Sequence, residues 1–142
     1  VEVSLPIQSG HSARLARFYG DVFGFETAVG DSEFSIIGGP APRSQRITFR
    51  EQQDAPVPPY AGDHFAMYIG DFEGVFSRCA ERGILYVNPR FTWLDNSRTI
   101  EEARHWQAFR IMEAKDSPGQ DGETMLTEEH EIRSLSHKFI PL

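Results

Sequence analysis

Apolar residues fall at Leu15, Phe18, Tyr19, Val22 and Phe23, spaced i, i+3, i+4, i+7 and i+8, with Gly24 directly after them. Phe72, Val75, Phe76, Cys79 and Ala80 repeat that rhythm, and Gly83 follows. Each stripe predicts one buried face of an amphipathic helix, closed by a glycine that tolerates positive φ. A short strand-like run precedes each helix, Val3 to Gln8 in the first half and Phe65 to Ile69 in the second. Period-two alternation puts Val3, Leu5 and Ile7 on one strand face, and Phe65, Met67 and Ile69 on the other strand's equivalent face.

The flanking segments complete a repeated unit. Ser12 is the expected N-cap of the first helix. Glu26–Val29 and Phe34–Ile37 read as strands joined through the turn pair Gly30-Asp31, a loop spans Gly38 to Pro42, and Gln45 to Arg50 is a further strand. Residues 53–63, with Pro56, Pro58 and Pro59, form a linker. Asp71 is the expected cap of the second helix. Leu85–Val87 reads as a strand stopped by Asn88-Pro89, and Thr99 with Glu102 forms a capping-box pattern. Trp106 to Ala114 alternates as a strand, with Trp106, Ala108, Arg110 and Met112 sharing a face. Asp116 to Gly122 is a turn and Glu123 to Arg133 the last strand. The expected fold class is therefore α+β, built from two βαβββ modules. They span residues 1–52 and 64–142, the second carrying an insertion at 89–105. Two copies of one unit place the natural site in the hollow between them, a cup of curled mixed sheets with helices on its outer face.

Composition narrows the function. Fourteen basic against 21 acidic residues give a formal charge of −7, and no basic cluster interrupts that surface. Such a field repels phosphate backbones, so nucleic acid is not an expected partner. No apolar run approaches the ~20 residues of a membrane helix, and no signal-peptide pattern is seen, so a cytoplasmic protein is expected. Cys79 lies on the apolar stripe and reads as buried filler.

The stretches Leu15–Phe25 (LARFYGDVFGF) and His64–Gly83 (HFAMYIGDFEGVFSRCAERG), with Asp116–Gly119 (DSPG) and Glu129–Ser134 (EHEIRS), resemble the vicinal oxygen chelate superfamily. That superfamily includes glyoxalase I, fosfomycin- and bleomycin-resistance proteins and extradiol dioxygenases. The resemblance implies paired βαβββ modules around an open cup, often in homodimers. It also implies a divalent metal that polarises vicinal oxygens of a small-molecule substrate. The family's metal ligands come from the first strand, the strand opening the second module and the last strand. Those positions fall on Glu2, His64 and Glu129. The usual first-strand His is replaced here by Glu2, which departs from a two-His pattern and disfavours a dioxygenase iron.

Alternation along the strands also sets Glu2, His64 and Glu129 on faces opposite the apolar rows. One imidazole and two carboxylates suit Zn, Mn, Ni or Fe as a Lewis acid, with Glu129 or Glu131 as general base. The plainer alternative leaves Glu2 at a frayed terminus and His64 capping a strand. Arg110 on the same face is either an anion clamp or the salt-bridge partner of Glu129 or Glu131. Tyr68, Trp106 and Met112 are candidate ligand walls, and Trp93 in the insertion a candidate lid residue. His130, Arg133 and His137 are expected to tie down the chain end. Three functions stay open: a metal-dependent lyase, isomerase or ring-cleaving enzyme; a metal-free protein sequestering an aromatic or cationic compound; and a structural domain.

Overall fold

The computed structural model describes residues 2–39, 44–91, 93–94, 96–116 and 122–140. The chain forms two compact units that divide between Pro59 and Tyr60, inside the expected linker. The expected loop at Gly38–Pro42 and the turn at Asp116–Gly122 each lie partly outside the described residues.

The first unit contains β1 (Glu2–Gln8), α1 (Ser12–Phe23), β2 (Glu26–Val29), β3 (Glu33–Gly38) and β4 (Gln45–Gln52). Its sheet runs β1-β4-β3-β2, with β1 parallel to β4 and the other pairs antiparallel. The predicted stripe of α1 is buried, and its Tyr19 ring lies 5.3 Å from Phe49 and 5.9 Å from Phe34. Burying each such ring contributes roughly 2–3 kcal/mol, so this cluster holds the helix on the sheet. Gly24 ends the helix at φ 70°, its N–H bonded to the Gly20 carbonyl at 2.9 Å.

The start of α1 differs from expectation. His11, not Ser12, is the cap residue, and its side chain makes no capping bond. Instead the Glu51 carboxylate of β4 accepts from the Ser12 N–H at 3.1 Å and the Ser12 hydroxyl at 2.6 Å. The backbone of Gly10 and these Ser12 bonds hold the Glu51 carboxyl down at about 2. A carboxylate from a neighbouring strand thus satisfies the orphan donors at the positive helix end, which a local motif could not reveal.

The second unit repeats the plan with β5 (His64–Ile69), α2 (Phe72–Glu81), β6 (Leu85–Tyr86), α3 (Ile100–Trp106), β7 (Ala108–Lys115) and β8 (Thr124–Ser134). Its order is β5-β8-β7-β6, again with the first pair parallel. Phe72 and Phe76 of α2 pack on Phe109 at 5.3 and 5.2 Å. Cys79 is fully buried among them and burial pushes its thiol up to about 12, so it is inert packing. Asp71 precedes α2 but makes no capping bond; it pairs with Arg78 at 2.8 Å.

The insertion supplies a single helical turn at Pro89–Phe91 and then α3. Thr99 caps α3 as its pattern predicts, accepting from the Glu102 N–H at 3.3 Å. Arg104 binds Glu73 of α2 through two bonds, 2.8 and 2.9 Å. Trp106 belongs to this helix and not to the next strand, because Gln107 at φ 55° ends the helix in the left-handed region before β7 begins. Among the described residues, no helix is long and apolar enough to cross a membrane.

Candidate functional site

In the second unit, β8 alternates Glu129, Glu131 and Arg133 with Ile132 and Ser134. Parallel pairing sets His64, Ala66 and Tyr68 of β5 beside Glu129, Glu131 and Arg133 respectively. On the other side Arg110 of β7 pairs with Glu131, and Tyr86 of β6 pairs with Arg110. Side chains in register share a face. Charged, aromatic and imidazole groups therefore collect on one face of this sheet, while Phe109, Ile111 and Ile132 fill the core.

The centre of that face is an ion-pair chain. Arg110 donates to Glu129 at 2.8 Å and approaches Glu131 at 3.6 Å, and Arg133 donates to Glu131 at 2.7 Å. The side chains of Arg110, Glu129 and Glu131 are only 10, 4 and 5% exposed. Two guanidiniums thus neutralise two carboxylates, as burial of such groups demands. Both Glu129 oxygens receive further bonds. Asn88 reaches them at 3.2 and 3.3 Å, and the Tyr60 hydroxyl donates at 3.1 Å. Burial and then the bond to Glu129 push the Tyr60 phenol up to about 12, which keeps its donor proton in place.

A cavity of about 730 Å³ opens above this floor. Tyr60, Tyr86, Phe91 and Leu94 give it aromatic and apolar walls, and His64, Asn88, Arg90, Arg110 and Glu129 give it polar groups. Phe91 meets Trp93 edge-on at 6.2 Å, and Trp93 is 72% exposed. Next to Glu129, burial pushes the Glu128 carboxyl up to about 7, with the charges of Asp63 and Glu129 adding to it.

Of the residues singled out from the sequence, His64, Arg110 and Glu129 line this cavity. Glu2 lies in the first unit, where it accepts from Thr48 at 2.7 Å and sits 3.5 Å from Arg50. Three candidate ligand walls, the candidate lid residue and the second candidate base do not line the cavity. Glu131 is taken up by the two arginines. The Tyr68 hydroxyl accepts from Arg133 at 2.8 Å and donates to the Phe139 carbonyl at 2.7 Å. Trp106 ends α3 against His105. Met112 sits where the β7–β8 register shifts. Trp93 touches Phe91 from outside the lining.

The terminal residues do tie down the chain end: Arg133 and Tyr68 hold Phe139, and the His137 Nδ1 accepts from the Phe139 N–H at 3.2 Å. His130 is instead a core group, fully buried 4.6 Å from Phe65, and burial drives its imidazole down to about 4. Tyr60, Asn88 and Arg90 were not foreseen. Tyr60 and Asn88 lie outside strands and helices and Arg90 in the single helical turn at Pro89–Phe91, and only the Asn-Pro stop marked that stretch of the chain.

Does this donor set suit a divalent cation? A metal needs a carboxylate lone pair at roughly 2.0–2.2 Å. Each Glu129 oxygen already accepts two bonds, and Oε1 accepts one of its two from the Arg110 guanidinium, which would repel a second cation. Among the described residues, no group of three or more His, Cys, Asp or Glu is arranged to hold a metal ion. The second unit as built does not fit one.

No family model matches the chain, and neither does any curated protein. Solved structures do. Oxidase ChaP-H2 is 16% identical, with 97% of this chain and 95% of that one aligned at a TM-score of 0.56. FosX, the fosfomycin resistance protein of Listeria monocytogenes, solved with Mn(II) and sulfate, is 13% identical over 94% and 87% of the chains at 0.56. Lactoylglutathione lyase from Agrobacterium tumefaciens is 16% identical over 94% and 91% at 0.51. The chain shares the fold of these structures, with two βαβββ modules in tandem, as its sequence resemblance implied.

Proposed function

We propose that the second module binds a planar aromatic small molecule carrying oxygen substituents, and that it does so without a metal. One observation carries this reading: a cavity walled by Tyr60, Tyr86, Phe91 and Leu94 stands on a floor whose charges are already matched. Ligand sites commonly have this size, with apolar walls and a few directed polar groups. Aromatic faces stack a flat ring, while His64 and Arg90, which also line the cavity, supply polar groups for its oxygens. The paired floor favours a ligand with little net charge over a free anion, because Arg110 is already committed.

The test uses Trp93, which touches the cavity wall at Phe91. In a Trp106→Phe background, chelator-treated protein is titrated with catechols, hydroxybenzamides and matched aliphatic diols while Trp93 emission is followed. Saturable quenching by the aromatic set alone is expected, weakened about tenfold by Tyr86→Ala. Quenching that needs an added divalent ion, or none with any aromatic, refutes it.

A second reading rests on His64, which pairs in register with Glu129. It is the metal-dependent lyase, isomerase or ring-cleaving enzyme, in which Mn, Zn, Ni or Fe acts as Lewis acid and a homodimer partner completes the site. It requires Glu129 to leave Arg110, Asn88 and Tyr60, and activity restored by metal after chelation would favour it.

A further inference from the structure

We propose that Arg110 is the built-in cation of this site: its guanidinium holds Glu129 and Glu131 and thereby excludes a divalent ion. This rests on the metal-independent reading above and explains it. Three observations support it. Arg110 lies 2.8 Å from Glu129 and 3.6 Å from Glu131, so one cation serves both carboxylates. All three side chains are buried, where like charges left together would repel strongly. The neutral-capable ligand His64 stands in register beside Glu129 on the next strand. With Arg110 in place both carboxylates are charge-matched. Without it Glu131 keeps Arg133, but Glu129 keeps only the neutral donors Tyr60 and Asn88, so Glu129 and the adjacent His64 offer a carboxylate and an imidazole to Zn²⁺ or Mn²⁺ with water completing the shell.

The specificity of the site for its aromatic ligand then depends on Arg110 in two ways. It keeps the floor neutral, and it fixes Glu129 so that Tyr60 and Asn88 are held by their bonds to it. Arg110 acts through these neighbours and is a positioning residue.

The experiment is titration with Mn²⁺ and Zn²⁺, read by calorimetry and by Mn²⁺ electron paramagnetic resonance. Wild type, Arg110→Met and Arg110→Met with His64→Ala are compared. Wild type is expected to show no saturable site below about 1 mM. Arg110→Met is expected to take up one equivalent at least about 30-fold more tightly, and His64→Ala in that background to lose about tenfold. An Arg110→Met protein that folds only when Mn²⁺ is added supports the proposal, since metal then replaces the lost cation. Arg110→Gln, which keeps an amide donor for Glu129, is the second variant and is expected to gain metal in the same direction. One equivalent of metal bound in the micromolar range by wild type overturns the proposal. So does a folded Arg110→Met or Arg110→Gln protein that binds no better than wild type. The two readings fail separately. Wild type that binds Mn²⁺ tightly yet still takes aromatic ligands in chelator loses only the role given to Arg110.

Discussion

Replacing Arg110 with methionine removes the charge that sits between two buried carboxylates while keeping most of the apolar stem. Glu129 and Glu131 are 4 and 5% exposed, so neither can turn to solvent without rearranging β8. Breaking a buried pair on one side typically costs about 3–5 kcal/mol, against about 0–1 kcal/mol for an exposed pair. The lower part of that range is expected here, because Glu131 keeps Arg133 while Glu129 is left with only the neutral donors Tyr60 and Asn88. Urea unfolding at pH 7.5 measures the cost directly. A deficit under about 1 kcal/mol would mean that Arg110 behaves as an exposed pair. The buried-floor reasoning would then be refuted.

Three further outcomes are expected. His130 is held neutral by burial, with its folded value at about 4 below the ordinary 6.5, so the unfolded chain binds more protons between those values. Its contribution is complete above about pH 6.5 and declines by up to about 3 kcal/mol as pH falls to 4. His130→Phe should flatten that slope relative to wild type in acid unfolding curves. Glu128 has a raised pKa and the opposite sign, so the comparison between the two proteins is the informative quantity. Tyr68→Phe removes the bonds to Arg133 and the Phe139 carbonyl, and should cost about 1–2 kcal/mol. Amide exchange near residues 135–140 should quicken, with the cavity unaffected. Thr99→Ala deletes the cap of α3 and should cost about 1 kcal/mol, seen as a lower urea midpoint at unchanged slope.

The fold was legible because α1 buries its whole predicted stripe, α2 buries all of its own except the exposed Ala80, and both end near positive-φ glycines, Gly24 and Gly83. Such features are local in sequence. The helix ending at Trp106 was not legible as to its extent. It has seven residues and buries only Ala103, too little periodicity to outweigh the alternation that follows it. The start of α1 departs from its sequence pattern for a different reason, since the carboxylate that its first N–H meets is Glu51, far along the chain. At the site, strand alternation correctly put His64, Arg110 and Glu129 on one face. It left the choice between anion clamp and ion pair open, because that depends on which strands are neighbours. Only the β7–β8 pairing settles that choice, and it puts Arg110 between the acids. Tyr60 and Asn88 come from connecting segments whose path depends on tertiary packing, so no periodic signal marks them.

Calorimetric titration of chelator-treated wild-type protein with the tightest aromatic ligand of the fluorescence panel tests the account most directly. One site per chain is predicted, with an affinity unaltered by added Mn²⁺ and weakened by Tyr86→Ala. Heat that develops only once Mn²⁺ is present would contradict it.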